Sequence, residues 1–371
     1  MEPKNCSILT IAPYRILPPR NGGQLSITYL HHYLGMACST NVVSTKDNDP
    51  ADNYSFQLHP VFNTSATRYV PFNQFQKLSS IAKAYDATSI ICEHPYMAIT
   101  AAALARKLKI NWYLRSQNIE SERFRQLGKP WWKMLALYER YAMELSNGVL
   151  FITQEDADWA MRNYRIPASK AHVVPFGTTL AAKPEMTSGR KEKIAQELNL
   201  DANKKWIYFL GVLDYKPNED AVRFILDHVL PGLGEDASNY EVLIGGKGLS
   251  EELQQRIART EGINYLGFVP DLDLFLKACD IMVNPILSGG GIKTKLVEAL
   301  AYNKLVVSTE NGAAGIIRSA CGNNMKVTND WKAFVDAIKS ISTQVPDIAD
   351  DFYKTYFWGN IARKVISIVH C

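Results

Sequence analysis

No stretch of this 371-residue chain reaches the ~18 consecutive apolar residues that a membrane-spanning helix needs, which argues against a helical membrane protein. Charge of one sign is lacking too. With 41 Lys+Arg against 37 Asp+Glu the formal net charge is +4, and 47% of residues are hydrophobic, so neither a disordered chain nor a strongly basic nucleic-acid binder is indicated. Paired cysteine spacing is missing: Cys6, Cys38, Cys92, Cys279, Cys321 and Cys371 are scattered, several of them inside apolar strand or helix patterns. They read as reduced, buried thiols rather than a disulfide framework or a zinc site. Met1 to Asn5 is polar and opens no signal-peptide pattern, so the expected location is the cytoplasm, free or peripheral on the inner face of a membrane. Asp-x-Asp in a loop suited to a divalent cation is not found, and neither a metal nor a cofactor is expected. Internal repeats and low-complexity tracts are absent as well.

What the chain does have is alternating strand and helix signals throughout, at a length comfortable for two domains of roughly 100–200 residues each. The densest signal is Ser288-Gly289-Gly290-Gly291-Ile292-Lys293-Thr294-Lys295-Leu296-Val297-Glu298. A strand-like run from Asp280 to Ile286 leads in and Leu305 to Thr309 follows, so the helix between them reads as the crossover of a βαβ unit. Glycines let a large anion approach the backbone, and a helix starting there points its unpaired N–H groups at that anion. Glu298 falls about a turn and a half into the helix, where its carboxylate can accept hydrogen bonds from sugar hydroxyls. A tight strand-to-helix turn that binds nothing is the competing reading of the same glycines.

This segment resembles the nucleotide-sugar signature of retaining glycosyltransferases with the GT-B fold, family-4 type (glycosyl transferases group 1), the large family with many sucrose-synthase-like and mannosyltransferase-like enzymes. The resemblance implies that Glu298 holds the donor ribose, and that Gly290, Gly291 and the backbone near Thr294 and Lys295 hold the diphosphate. Gly290 stands where the family usually has an earlier glutamate. The chain thus fits a subgroup in which a glycine run and Lys293 replace that acid. Upstream, Ile207 to Leu210 and Gly211 form a strand ending in glycine, and Lys216 in the loop beyond is implied as a cation for the diphosphate. Asn218-Glu219-Asp220 is expected to cap the next helix. Glycine-loop, helix and strand signals from Tyr240 to Val269 continue the alternation, and the turn at Val269 is implied to lie against the nucleotide base with its backbone.

The first half opens with a strand at Ser7 to Ala12, a turn containing Gly22 and Gly23, and a helix from Gln24 to Leu34. By resemblance the two glycines approach the donor phosphates. Glu93-His94-Pro95-Tyr96 stands at the end of a buried strand, where open α/β sheets bind ligands. After the next strand come Arg115, Gln117, Asn118 and Glu120. By resemblance the family often has a histidine at Gln117; glutamine cannot act as a base but can still hydrogen-bond a sugar hydroxyl, which leaves His94, Glu93, Arg115 and Glu120 as candidates, His94 favoured by its place at a strand end. Glu93, Gln117, Asn118 and Glu120 are expected on the acceptor side. A histidine that merely satisfies a loop carbonyl is the alternative for His94. Arg123, Arg125, Lys129 and Lys133 surround Leu127, Trp131, Trp132 and Leu135 at the start of a helix running to about Leu145. Such a mixture suits anionic lipid head groups, unless the tryptophans pack on the domain core.

The expected architecture is therefore α/β, two Rossmann-like doubly wound parallel-sheet domains facing across a cleft as in GT-B: residues 1–178, residues 179–351, and a C-terminal helix over 352–371 returning to the first domain. Lys216, Lys293, His94 and Arg115 are the candidate catalytic groups. The implied reaction moves a sugar from a nucleotide diphosphate sugar to a hydroxyl of a glycan or lipid-linked acceptor, with retention and without metal or nucleic acid. A catalytically weak homologue that binds nucleotide or a partner, and a nucleotide-sugar epimerase, are the two rival readings.

Overall fold

A computed structural model describes residues 6–49, 53–185, 189–340 and 347–369; Met1 to Asn5, Cys371 and residues 186–188 of the expected linker lie outside them. The chain divides into one unit of residues 1–179 with 356–371 and a second of 180–355.

In the first unit the strands are β1 (Ser7–Ile11), β2 (Ser39–Thr45), β3 (Gln57–Phe62), β4 (Ser89–Glu93), β5 (Asn111–Ser116), β6 (Gly148–Phe151) and β7 (Ala171–Val173). They form one sheet in the order β3-β2-β1-β4-β5-β6-β7, and every pairing is parallel. Parallel strands covered by helices on both faces need apolar side chains on both faces, and β1, β4 and β6 are buried at every position. Leu9, Ile11, Ile90, Cys92, Leu114 and Phe151 build the core against the helix Ala98–Leu108.

The second unit repeats the plan with β8 (Lys205–Leu210), β9 (Tyr240–Gly245), β10 (Ile263–Gly267), β11 (Ile281–Asn284), β12 (Leu305–Ser308) and β13 (Met325–Val327), in the order β10-β9-β8-β11-β12-β13. In both sheets the winding reverses beside the first strand, between β1 and β4 and between β8 and β11. The loops leaving the two strands at such a point diverge to opposite faces, and the gap between them is where open α/β sheets take ligands.

Several element ends differ from the sequence reading. Gly22 and Gly23 are not a turn: the first helix is Gly22–Gly35, capped by Asn21, whose Oδ1 accepts from the Gln24 amide at 3.0 Å. Asn218 does not cap a helix, because Pro217 lets the helix Lys216–Phe224 start two residues earlier and turns the Asn218 side chain inward. The basic-aromatic region is two helices, Glu120–Gln126 and Trp132–Leu145. Neither a free-standing core role nor full burial suits Trp131, which is 43% exposed and packs on Phe124.

The C-terminal segment expected over 352–371 is interrupted at Phe357. Asp350–Tyr356 is followed by Trp358–Val369, and Phe357 bridges to Thr178. The Thr178 amide donates to the Tyr356 carbonyl at 2.7 Å and the Trp358 amide to the Thr178 carbonyl at 3.0 Å. These bonds move the boundary of the first unit to residue 356. Helix Trp358–Val369 lies on helix Gly22–Gly35, with Tyr33 edge-on to Phe357. Gly177 is the tight point: a Cβ there would meet the Tyr356 carbonyl oxygen at 2.6 Å and the Trp358 ring at 2.7 Å. Gly177→Ala should therefore cost about 1–3 kcal/mol by overpacking, read as a lower Tm in a thermal melt. An unchanged Tm would show that the segment yields freely.

Candidate functional site

In the second unit the site grows from the point where the strand order reverses. β8 delivers Leu210 and Gly211, and β11 delivers the loop that ends in helix Thr294–Ala301. Gly289 and Gly291 have φ of +93° and +74°, which L side chains rarely adopt, so the loop needs glycine there. A Cβ on Gly289 would also sit 3.1 Å from the Tyr215 hydroxyl, which means that the two loops touch.

Lys295 ties them together. Its Nζ donates to the Leu210 carbonyl at 3.0 Å and to Asn218 Oδ1 at 3.2 Å, and lies 3.9 Å from the centre of the Phe209 ring. Asn218 in turn donates to the Val212 carbonyl at 2.8 Å, fixing the loop after β8. Lys293, just ahead of the helix, donates to the carbonyls of Gly289, Gly290 and Gly291 at 2.9–3.2 Å. Burial lowers the Lys293 ammonium to about 8; burial and then the nearby Lys293 charge lower Lys295 to about 7. Two cations crowded at a helix start, with no carboxylate on either ammonium among the described residues, make a strong attraction for a polyanion.

Lys216 is placed differently. It is 70% exposed and pairs with Asp220 one helical turn on, whereas Lys295 is the cation held under the end of β8. Glu298, inside helix Thr294–Ala301, is pushed up to about 7 by burial. Val269 packs on Gly245, and the neighbouring ring, Phe268, is 61% exposed with Lys247 4.6 Å from its centre. Phe268 went unread in the sequence because its strand, ending Tyr-Leu-Gly-Phe-Val, looks uniformly like core.

In the first unit β4 and β5 pair in register so that Glu93 lies beside Arg115. Both are fully buried. Arg115 Nη1 donates to the two Glu93 oxygens at 3.2 Å each, Nη2 to Ser26 Oγ at 2.6 Å, and Gln117 Nε2 reaches Glu93 Oε2 at 3.2 Å. His31 Nε2 stands 2.9 Å from Glu93 Oε1. Burial would raise the Glu93 carboxyl, but Arg115 and His31 outweigh it and hold it at about 2. Burial lowers His31. Arg115 and Glu93 were expected to meet substrate; bound to each other and without exposed surface, they form the floor beneath the site instead. Gly23 belongs to the same floor, since a Cβ there would sit 3.2 Å from Gln117 Oε1.

His94 rises from that floor at the end of β4. Its φ of +62° is strained for a non-glycine residue, held by its amide donating to the Arg115 carbonyl at 3.0 Å and by Cys92 Sγ donating to its carbonyl at 3.3 Å. Its ring stacks on Tyr96 and meets Tyr14 edge-on, with centroids 5.7 and 5.5 Å away. Nδ1 faces Glu120 Oε1 at 3.3 Å, and Glu120 Oε2 accepts from Tyr96 at 2.6 Å and Arg123 at 3.2 Å. Burial would raise the Glu120 carboxyl; His94 and then Tyr96 bring it down to about 2. Glu120, expected toward an acceptor, is buried and turned to His94, while half-buried Asn118 gives its carbonyl to Ser116. Among the described residues no group of three or more His, Cys, Asp or Glu is placed to hold a metal, and no helix is long and apolar enough to cross a membrane.

Family models match both halves: Glycosyltransferase Family 4 over residues 20–181 and Glycosyl transferases group 1 over residues 204–344. An uncharacterized 44.6 kDa protein in the cps region of Klebsiella pneumoniae is 23% identical over 293 residues, 74% of this chain and 70% of that one. Among solved structures, Anabaena Alr3699/HepE in complex with UDP and glucose aligns with a TM-score of 0.62 at 15% identity, over 98% of this chain and 95% of that one. WaaG, a glycosyltransferase involved in lipopolysaccharide biosynthesis, aligns with a TM-score of 0.66 at 14% identity, over 98% and 99%. These likenesses show the GT-B fold: two α/β units, each on a parallel sheet.

The raised Glu298 carboxyl has a sign that stability can read. Its folded pKa of about 7 exceeds the ordinary 4.5, so its contribution is full below 4.5 and is lost as pH rises through 7. Glu298→Gln should raise the Tm of the ligand-free protein at pH 9, on the order of 5 °C, and leave it nearly unchanged at pH 4.5. An equal shift at both pH values would contradict the buried-carboxyl reading.

Proposed function

The chain is a glycosyltransferase of the GT-B, group 1 type, and from that premise we propose that it moves a sugar from a nucleotide diphosphate sugar to a hydroxyl of a glycan or lipid-linked acceptor. The observation that carries this reading is the glycine loop of the second unit, with Lys293 and Lys295 at the start of a helix that bears Glu298 one turn in. The diphosphate sits on the loop and the amides near Thr294, and Glu298 takes the ribose hydroxyls. As the glycosidic bond breaks, negative charge grows on the departing diphosphate; the two lysines and the helix start neutralise it, with Lys216 at the rim, in place of a divalent ion. The acceptor attacks the face the leaving group vacates, so configuration is retained. His94 serves the sugar hydroxyl, because a strained backbone at the end of a central strand persists where function requires it.

An acceptor carried by a membrane would suit the first unit's surface. Leu127, Trp131, Met134, Leu137, Tyr141 and Leu145 are all exposed, and Lys129 and Lys133 lie among them. We place this face against anionic lipid on the cytoplasmic side, which suits the part WaaG plays in lipopolysaccharide biosynthesis.

Three measurements test these assignments. UDP, the nucleotide in the HepE complex, is the first binding probe. Glu298→Ala should weaken UDP by about tenfold or more in calorimetry while the melt stays cooperative; unchanged affinity would remove Glu298 from the ribose. Once a UDP-sugar is found to be turned over, His94→Ala should cut transfer by ~100-fold if the imidazole handles the proton, and near-normal turnover would refute that role. Finally, the protein should float with vesicles containing phosphatidylglycerol and not with phosphatidylcholine alone, and Trp131→Glu/Leu137→Glu should abolish flotation. Equal behaviour on both vesicles would rule out the lipid face.

A further inference from the structure

The buried Tyr14 hydroxyl has no hydrogen-bond partner, and the His94 ring that it lies beside turns Nδ1 to Glu120 Oε1 at 3.3 Å. An orphaned buried polar group costs about 1–3 kcal/mol, and a phenol left so next to a His–Glu pair at the reversal point of a sheet marks a place built for something that binds. Tyr14 belongs to the loop after β1, and His94 to the loop after β4, the two strands between which the winding turns around. The Tyr14 hydroxyl is buried among charges. Burial, and then Glu93, raise its phenol well above the ordinary value, so it remains a donor at every working pH.

The donors and acceptors define the ligand chemistry. The neutral Tyr14 phenol offers a proton, and Nε2 of the His94 ring, whose Nδ1 faces Glu120, can accept one. A hydroxyl, which donates once and accepts twice, matches both kinds. A phosphate or carboxylate does not, because Glu93 and Glu120 both hold full negative charge there.

We propose that Tyr14 and Glu120 complete a sugar-hydroxyl site around His94, in which Glu120 orients the imidazole through Nδ1 and Tyr14 donates to the hydroxyl that Nε2 meets. This deepens the transferase reading given above and rests on it for the source of the hydroxyl, donor sugar or acceptor. Among the described residues no hydrogen bond engages His94 Nε2, and the side chain keeps 13% of its surface exposed. Glu120 is thus a positioning residue acting through His94, and Tyr14 a residue that touches substrate. The groups facing His94 from its surroundings are Glu93, Arg115, Tyr14, Tyr96 and Glu120, with Arg123 behind Glu120.

The closing experiment has one arm that needs no turnover. With histidine 15N-labelled for NMR and His94 assigned from His94→Gln, the His94 ring should carry its proton on Nδ1, toward Glu120, in the native chain and lose that preference in Glu120→Ala. Glu120→Asp, which keeps a carboxylate acceptor, should keep the Nδ1 proton and guards against misfolding of the alanine variant. The same tautomer in native and Glu120→Ala protein overturns the Glu120 assignment. The second arm compares UDP and UDP-glucose binding in the native chain and Tyr14→Phe. A donor-sugar hydroxyl predicts about tenfold weaker UDP-glucose binding with UDP unchanged. An acceptor hydroxyl predicts unchanged binding of both and about tenfold slower transfer to a soluble glycoside. Native behaviour of Tyr14→Phe in both measurements overturns the Tyr14 assignment. Should the native chain transfer nothing from any nucleotide sugar, the transferase reading fails, and the His94 tautomer together with the UDP-glucose comparison still decides this one.

Discussion

The first unit depends on one buried carboxylate. Glu93 ends the central strand β4 with no solvent at all, a position that costs several kcal/mol unless the charge is matched. Arg115 on the next strand, His31 on the first helix and Gln117 beyond β5 all turn toward it. Meeting that one charge fixes the register of β4 against β5, the seat of helix Gly22–Gly35 and the entry of the loop after β5. Arg115, through its own carbonyl, then holds the His94 amide, so the strained His94 backbone stands on the same ion pair. His94 thus stands on a polar floor whose Glu93, Arg115 and His31 have no exposed surface.

The second unit solves a related problem in the opposite sense. There the excess is positive, and backbone carbonyls rather than carboxylates accept from the two lysines. Carbonyl oxygens satisfy an ammonium's hydrogen bonds without cancelling its charge. That leaves the field at the helix start available to an anion, which a carboxylate partner would have quenched.

Much of this was legible in the residues. The doubly wound parallel class followed from alternating strand and helix signals, with buried runs such as Ser-Ile-Leu-Thr-Ile, and the helix that starts at Thr294 from glycines leading into a basic, apolar-spaced run. The misread ends have local causes: Asn21 captures a helix start two residues before the expected Gln24, and Pro217 lets the helix Lys216–Phe224 start two residues ahead of Asn218. The larger gap was burial. Glu93, Arg115 and Glu120 look like cleft residues because charged side chains at strand ends are usually solvated; only the tertiary register shows Glu93 and Arg115 neutralising each other inside and Glu120 turned to His94, Tyr96 and Arg123. Lys216 and Lys295 exchanged prominence for the same reason, since a lone lysine carries no sign of whether its amine lies in water or under a strand. Tyr14 was passed over because it follows Pro13, where the strand reading stopped, and a phenol without a partner is invisible in one dimension.

Lys295 and Glu298 stand three residues apart on one helix, close enough to be neighbours on its surface. Each is driven toward its neutral form by burial, both with midpoints at about 7. On the proposed donor seat, an anion beside the lysine and hydroxyls beside the glutamate would favour the charged form of each. Filling it would then load a proton onto one side chain and remove one from the other. The two exchanges would offset, so that occupancy of the proposed seat would change both charges while the bulk proton count barely moved, and small drifts of pH around neutrality would leave it nearly unaffected.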